Sequence, residues 1–268
     1  MMGANPVRIA SVVILMGAMP AIGACDQRDA PATRPVTSRS EPIAAAPVSF
    51  ERETKAFTFT YDYPAQAAAI PALTATLATE RAKALAELEA SSSQALAQSQ
   101  GSDYQFNAHL AGISWKVTGE TSALLAMVAE ISSFAGGAHG NTGYDAMIWD
   151  KAAARRVALD ALFVDPAAAM DALRQPYCDA LDADRAARRA EYEVTGDDMF
   201  SACPPFSELV IVPFAGSDGG FDRMMLLAAP YVAGPYVEGA YEISLPLTDA
   251  TLDQLKPRYR KAFTRTAQ

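Results

Sequence analysis

A cluster of glycines in the middle of the chain constrains the fold more than any other feature. Residues 134–150 read F-A-G-G-A-H-G-N-T-G-Y-D-A-M-I-W-D, with four glycines within eight residues. Glycine adopts positive φ without steric cost. A nearly continuous apolar run, 124–131, precedes the cluster, and an aromatic-rich run, 144–149, follows it. The pattern predicts a turn between two strands, and this turn carries His139, one of two histidines in the chain.

Period-two alternation of apolar and polar residues predicts further strands. The alternation is clear over 57–61, where aromatic residues alternate with threonines. Over 104–117 it changes phase at Ala111-Gly112, which predicts a β-bulge at Gly112 and places His109 on the polar face. Later strands are expected near 209–212, 223–229 and 241–245.

Three helices are expected between and after these strands. Pro71 starts one that runs to about Gln98, with its apolar residues on one face. Asp165-Pro166 starts a second, running towards Tyr192 in two pieces because Pro176 interrupts it. A closing helix carries 252–263. The strands outnumber the helices, which predicts an α+β fold with a largely antiparallel sheet, flanking helices and two closely associated modules.

The first 25 residues have the features of an export signal. Arg8 precedes an apolar segment, 9–19, that is too short for a stable membrane helix. Ile22-Gly23-Ala24-Cys25 resembles the lipobox of bacterial lipoproteins, which implies cleavage before Cys25 and its lipidation. The alternative is an ordinary secretory signal with a chance cysteine. We expect a lipid-anchored protein of the cell envelope that faces the periplasm, with residues 26–47 as a disordered, proline-rich tether.

Two cysteines, Cys178 and Cys203, remain after Cys25 is set aside. An even pair in an exported chain predicts a disulfide, since that compartment is oxidising. Two buried thiols are the alternative. Neither cysteine has a neighbour typical of a metal site, so zinc binding is not predicted.

The net charge of −9 disfavours nucleic acid as a partner and suits a cationic partner.

A catalytic role for His139 is the alternative to a binding role. The sequence has no H-x-x-E or H-x-D spacing around it and no G-x-S-x-G motif, and a hydrolytic zinc site needs three protein ligands. No catalytic residue, metal or cofactor is therefore predicted.

Two glycine loops with aromatic residues, 134–144 and 230–241, could lie at one edge of the sheet. Aromatic side chains there could stack on sugar rings or anchor a protein partner. Trp149 and Tyr241 fit a core position better. The candidate binding residues are His139, Asn141, Tyr144, Tyr231 and Tyr236.

Several motifs resemble a known pair of modules. Y-D-Y-P at 61–64, followed by a helix, resembles the module beside the catalytic domain of PdaC-like peptidoglycan deacetylases. G-G-A-H-G-N at 136–141, L-D-A-L-F at 159–163 and G-P-Y-V-E-G at 234–239 resemble the module that follows it. The same pair forms the extracellular part of RsiV-like anti-sigma factors. The resemblance implies a first module at 48–133 and a second at 134–265.

What the resemblance implies about function is narrow. In RsiV-like proteins this region binds lysozyme, and in the deacetylases it accompanies the catalytic domain. The sequence shows neither a cytoplasmic anti-sigma segment nor a separate deacetylase domain, so we expect neither activity to carry over. The first hypothesis is a non-catalytic lipoprotein that binds cell-wall glycan or a cationic wall-active protein such as lysozyme. The alternative is a peptidoglycan hydrolase or deacetylase that uses His139.

Overall fold

The computed structural model describes residues 44–101, 105–190, 199–216 and 219–265. These residues belong to one compact unit that begins at Ile43. The expected signal peptide, the expected lipidation site Cys25 and nearly all of the expected tether lie outside the described residues. None of the helices in the described part is both long and apolar enough to cross a bilayer.

A six-stranded sheet holds the strands in their order along the chain. Adjacent strands in this sheet pair antiparallel, except β2 and β3, which run parallel because helices connect them. Alternation in β2 buries Phe57, Phe59, Tyr61 and Tyr63, as the sequence predicts. The strands are β1 (Val48–Glu53), β2 (Phe57–Tyr63), β3 (His109–Glu120), β4 (Leu124–Phe134), β5 (Asn141–Asp150) and β6 (Arg155–Val157).

A second, antiparallel sheet has three strands, with β8 in the middle. The strands are β7 (Val210–Ala215), β8 (Phe221–Ala228) and β9 (Tyr241–Pro246). The described part of the chain also has four short 3₁₀ helices and four α-helices: α1 (Ala65–Ala68), α2 (Pro71–Ser99), α3 (Pro166–Arg188) and α4 (Asp249–Asp253). The α+β class and the largely antiparallel pairing are thus confirmed.

Two apolar cores fix the layers. The first packs α2 against one face of the six-stranded sheet, with residues from β2 to β5. The second packs the opposite face of β4 and β5 against the three-stranded sheet, which α3 and α4 cover. The second module was expected to begin at residue 134, between β4 and β5. These two strands pair with each other, so one continuous sheet contributes to both cores. Trp149 and Tyr241 are buried, as expected.

The predicted β-bulge at Gly112 is wrong. Gly112 pairs in register with Thr60 on one side and Ser132 on the other, and the irregularity lies between Val117 and Gly119. A Cβ at Gly112 would lie 2.6 Å from the Ser132 hydroxyl oxygen. A side chain at this position would therefore crowd the hydroxyls of Ser132 and Thr60 on the neighbouring strands. His109 also differs from the expectation, because it is buried beside the Phe106 ring.

Both later helices differ in extent from the prediction. α3 is a single helix through Pro176, although an internal proline costs about 3 kcal/mol. Its buried residues, Ala169, Leu173, Tyr177, Leu181 and Arg185, tie it to the second core on both sides of the proline. The closing helix ends after Asp253, and a single 3₁₀ turn follows Pro257. Leu255 and Phe263 instead form β-bridges to Phe163 and Phe221.

Candidate functional site

Three exposed or half-buried rings from two distant loops form one cluster, here called the aromatic cluster: His139, Tyr231 and Tyr236. His139 lies in the loop between β4 and β5, and the tyrosines lie between β8 and β9. The ring centroids of His139 and Tyr236 are 3.9 Å apart and nearly parallel. Those of Tyr231 and Tyr236 are 5.6 Å apart. The two loops predicted to share an edge thus meet through these rings.

Hydrogen bonds orient the histidine within the aromatic cluster. Its Nδ1 lies 2.8 Å from the Gly140 carbonyl oxygen, so Nδ1 carries the proton and donates. Nε2 lies 3.3 Å from the Tyr231 hydroxyl oxygen, within hydrogen-bonding distance. Because both ring nitrogens have partners, the histidine holds the cluster together.

Tyr231 adopts a backbone conformation that tyrosine rarely takes. Its φ is +73°, in the left-handed region, and its side chain is 52 % exposed. Such a conformation costs on the order of 1–3 kcal/mol for a residue other than glycine, and it persists only where the surroundings impose it. Its N–H donates to the Gly234 carbonyl oxygen at 3.0 Å, which closes the turn. The fold therefore holds an exposed aromatic ring at this place at a cost in stability.

A buried glutamate stabilises the loop between β8 and β9 that carries Tyr231 and Tyr236, here called the tyrosine loop. The Glu238 carboxylate is 3 % exposed and accepts two bonds from the Arg189 guanidinium, at 2.7 and 3.0 Å. It also accepts from the Tyr241 hydroxyl. Burial and the adjacent Glu238 carboxylate raise the pKa of Tyr241 to about 12, so its hydroxyl stays a donor. A Cβ at Gly234 would lie 2.2 Å from this carboxylate, which explains the glycine.

Arginines of α3 hold both this loop and the loop that carries Cys203. Arg188 stacks on the Tyr241 ring and donates to the carbonyl oxygens of Glu238 and Ala240. Arg185, 4 % exposed, donates to the carbonyl oxygens of Ala233, Ser201 and Ala202. The predicted disulfide is confirmed, because the Cys178 and Cys203 sulfurs are bonded at 2.10 Å.

The candidate residues do not all converge. His139, Tyr231 and Tyr236 meet, whereas Asn141 is exposed at the start of β5. Tyr144 lies elsewhere and donates to Glu242 at 3.2 Å. Sequence reasoning missed Arg185, Arg188, Arg189 and Glu238. The spacing of these arginines on one helix was the available signal, but their partners lie in loops 16 to 52 residues away along the chain.

Catalytic geometry around His139 is not assembled by the described residues. Among the described residues, no carboxylate is hydrogen-bonded to its ring, whose partners are a backbone carbonyl and two tyrosines. In the described part of the chain, no three His, Cys, Asp or Glu side chains come together as a metal site would require. The arrangement brings three aromatic rings together at the surface, with His139 and Tyr231 exposed and Tyr236 half-buried.

Comparisons with known proteins cover the chain unevenly. Residues 50–142 match the family model described as Deacetylase PdaC, and this match covers about a third of the chain. A DUF3298 family member from Bacteroides fragilis is similar at 16 % identity and a TM-score of 0.44, covering 82 % of this chain and 97 % of that one. A DUF3298 family protein from Pseudomonas aeruginosa is similar at 15 % identity and a TM-score of 0.46, covering 81 % and 96 %. No curated protein matches.

Proposed function

We propose that this chain is a lipid-anchored, non-catalytic protein of the bacterial cell envelope, and that its aromatic cluster binds the sugar rings of cell-wall glycan. The observation that carries the proposal is the cluster of His139, Tyr231 and Tyr236, which two loops hold at the surface with His139 and Tyr231 exposed. Aromatic faces bind flat apolar surfaces, and the tyrosine hydroxyls supply polar contacts at the edge. The PdaC-type region and the lipobox-like sequence support a location at the wall.

Binding to purified peptidoglycan tests the proposal. The compact unit, residues 43–268, is incubated with insoluble sacculi and titrated with soluble muropeptides in moderate salt. Tyr236→Ala removes the central ring of the cluster and should weaken binding about two- to tenfold, given about 0.5–1.5 kcal/mol for a ring pair. Val237→Ala is the matched control, because Val237 lies on the same turn and is 87 % exposed. Wild-type protein that binds neither material would overturn the proposal.

Anchoring is tested separately in cells. Cys25→Ser should release the protein from the membrane fraction if Cys25 is lipidated, since the thiol carries the anchor. Persistence of the variant in that fraction contradicts the anchor. The likeness to RsiV-like anti-sigma factors adds one further measurement, a titration of the 43–268 fragment with lysozyme.

One observation favours a catalytic alternative, namely that the region matching Deacetylase PdaC includes His139. A deacetylase or hydrolase would release acetate or sugar fragments from peptidoglycan when divalent metals are supplied, and His139→Ala would abolish the release without unfolding the protein. We expect no product from the wild-type protein, because no carboxylate contacts the His139 ring among the described residues.

A further inference from the structure

A small cleft, here called the inter-sheet cleft, opens between the two sheets. Its volume is about 220 Å³, and it shares no residue with the aromatic cluster. Strands of both sheets line it. Its floor is apolar and consists of buried or half-buried side chains: Val117, Val128, Phe214, Met225 and Leu227.

The rim of the inter-sheet cleft is polar and rich in negative charge. Glu130 stands on the six-stranded sheet and Glu242 on the three-stranded sheet, with Tyr144 between them. Burial, and next the Glu242 carboxylate, raise the pKa of Tyr144 to about 12. Its hydroxyl therefore stays neutral and donates to Glu242. Among the described residues, Lys116 bonds one oxygen of Glu130 and Tyr144 bonds one oxygen of Glu242, which leaves the other oxygen of each carboxylate as an acceptor for a ligand.

One cation of the chain itself competes at the rim. Lys116 pairs with Glu130 at 3.3 Å, but the two side chains are 65 % and 51 % exposed. An exposed ion pair of this kind contributes only about 0–1 kcal/mol, so an entering cation can displace the lysine. An apolar floor beneath such a rim matches a ligand with an aliphatic stem and a cationic head.

The volume of the cleft limits the size of that ligand. Sites for small molecules are usually about 300–1,000 Å³, and this cleft is smaller. A single long side chain fits it, and side chains that fill pockets are the usual anchors of protein interfaces, with arginine enriched among them. We propose that the inter-sheet cleft binds an arginine or lysine side chain presented by a basic partner protein.

The test uses the 43–268 fragment and a blocked pentapeptide with a central arginine. Binding is followed by the NMR shift of the Met225 methyl group, because Met225 is part of the floor. We expect saturable binding, and at least about tenfold weaker binding of the same peptide with citrulline, the uncharged isostere of arginine. Glu130→Gln/Glu242→Gln should weaken arginine-peptide binding by about tenfold or more.

Two further variants make the prediction sharper. Lys116→Gln removes the competing ammonium group, so it should strengthen binding of the arginine peptide severalfold. Glu51→Gln/Glu53→Gln removes the same amount of charge from exposed positions on β1 and should leave the affinity unchanged. Equal losses in the two double variants would show a general charge effect and would overturn the site.

Two other results would also overturn the proposal. One is the absence of any binding of the arginine peptide to the wild-type fragment. The other is binding of n-butylguanidinium without binding of the peptide, since the cleft would then take a free small cation and not a side chain. Binding at this cleft does not depend on glycan binding, because Tyr236→Ala and Glu130→Gln/Glu242→Gln change different residues and separate the two failures.

Discussion

The half of the molecule covered by α2 and the half covered by α3 are held together by different interactions. On the α2 side, apolar residues such as Leu73 and Leu77 pack on the aromatic face of the sheet, and Trp115 donates to the Tyr61 hydroxyl at 3.1 Å. On the α3 side, the buried Arg185, the half-buried Arg188 and a disulfide join the helix to distant loops. The first half forms by burying a patterned surface, whereas the second also needs particular polar contacts. The second half is therefore the one that can position loops for binding.

The largest effect is expected from a cavity in the α2 half. Leu77 is fully buried, so Leu77→Ala should lower the free energy of unfolding by about 2–5 kcal/mol, measured by urea titration. Leu110→Ala is the control, because Leu110 is 41 % exposed and its truncation should change stability by less than about 0.5 kcal/mol. Equal effects would show that α2 does not depend on this packing.

Loss of the disulfide is the next largest effect and concerns the α3 half alone. Cys178→Ala/Cys203→Ala should lower the free energy of unfolding by about 3 kcal/mol, because the bond closes a loop of 25 residues. Dithiothreitol should destabilise the wild-type protein equally and leave the double variant unchanged. A loss near zero would mean that Arg174 and Arg185 hold the Cys203 loop by themselves.

Replacement of Arg185 tests the polar contacts directly. Arg185→Met keeps an unbranched apolar stem but removes the guanidinium, which leaves three backbone carbonyls without their donor and should cost about 1–3 kcal/mol of unfolding free energy. It should also weaken glycan binding, since Ala233 belongs to the tyrosine loop. Arg265→Met removes an exposed pair with Asp249 and should be nearly neutral. If Arg185→Met binds glycan as well as the wild-type protein does, the contact from α3 does not position the binding site.

The smallest effects are pH dependences, and they have opposite signs in the two halves. Burial raises the pKa of Glu80 on α2, although Arg156 opposes it. The pKa of Asp150 is lowered. Burial alone would raise it, but hydrogen bonds from the Ala153 N–H and the Tyr259 hydroxyl, together with the charge of Arg258, outweigh burial and hold the pKa below its usual range. Through Glu80 the fold gains stability as pH falls towards about 4.3, and through Asp150 it loses stability below about pH 3.9.

Urea titrations at several pH values measure both effects. The stability difference between wild type and Glu80→Gln should shift in favour of wild type as pH falls from neutral towards about 4.3. The difference between wild type and Asp150→Asn should shift against wild type below about pH 3.9. The same sign for both residues would contradict the contrast between the halves.

Local patterns predicted the elements better than their contacts. The alternation in β2 and the Asp165-Pro166 start of α3 depend on neighbours in the sequence, and both are confirmed. The role of Gly112 depends on which strands lie beside it, so a change of phase was mistaken for a bulge. The contacts of Arg188 with the tyrosine loop join residues about 50 positions apart, which no local pattern indicates. Proximity of the two glycine loops was foreseeable from their composition, but the ring stack was not.

The left-handed backbone at Tyr231 has a consequence for how this protein changes under selection. Glycine occupies that conformation freely, so Tyr231→Gly would relieve the strain and remove a ring from the aromatic cluster in one step. Selection for heat resistance in the absence of ligand would favour the loss of this tyrosine, and selection for binding would retain it. Position 231 is thus where thermal tolerance and recognition make opposite demands on one residue.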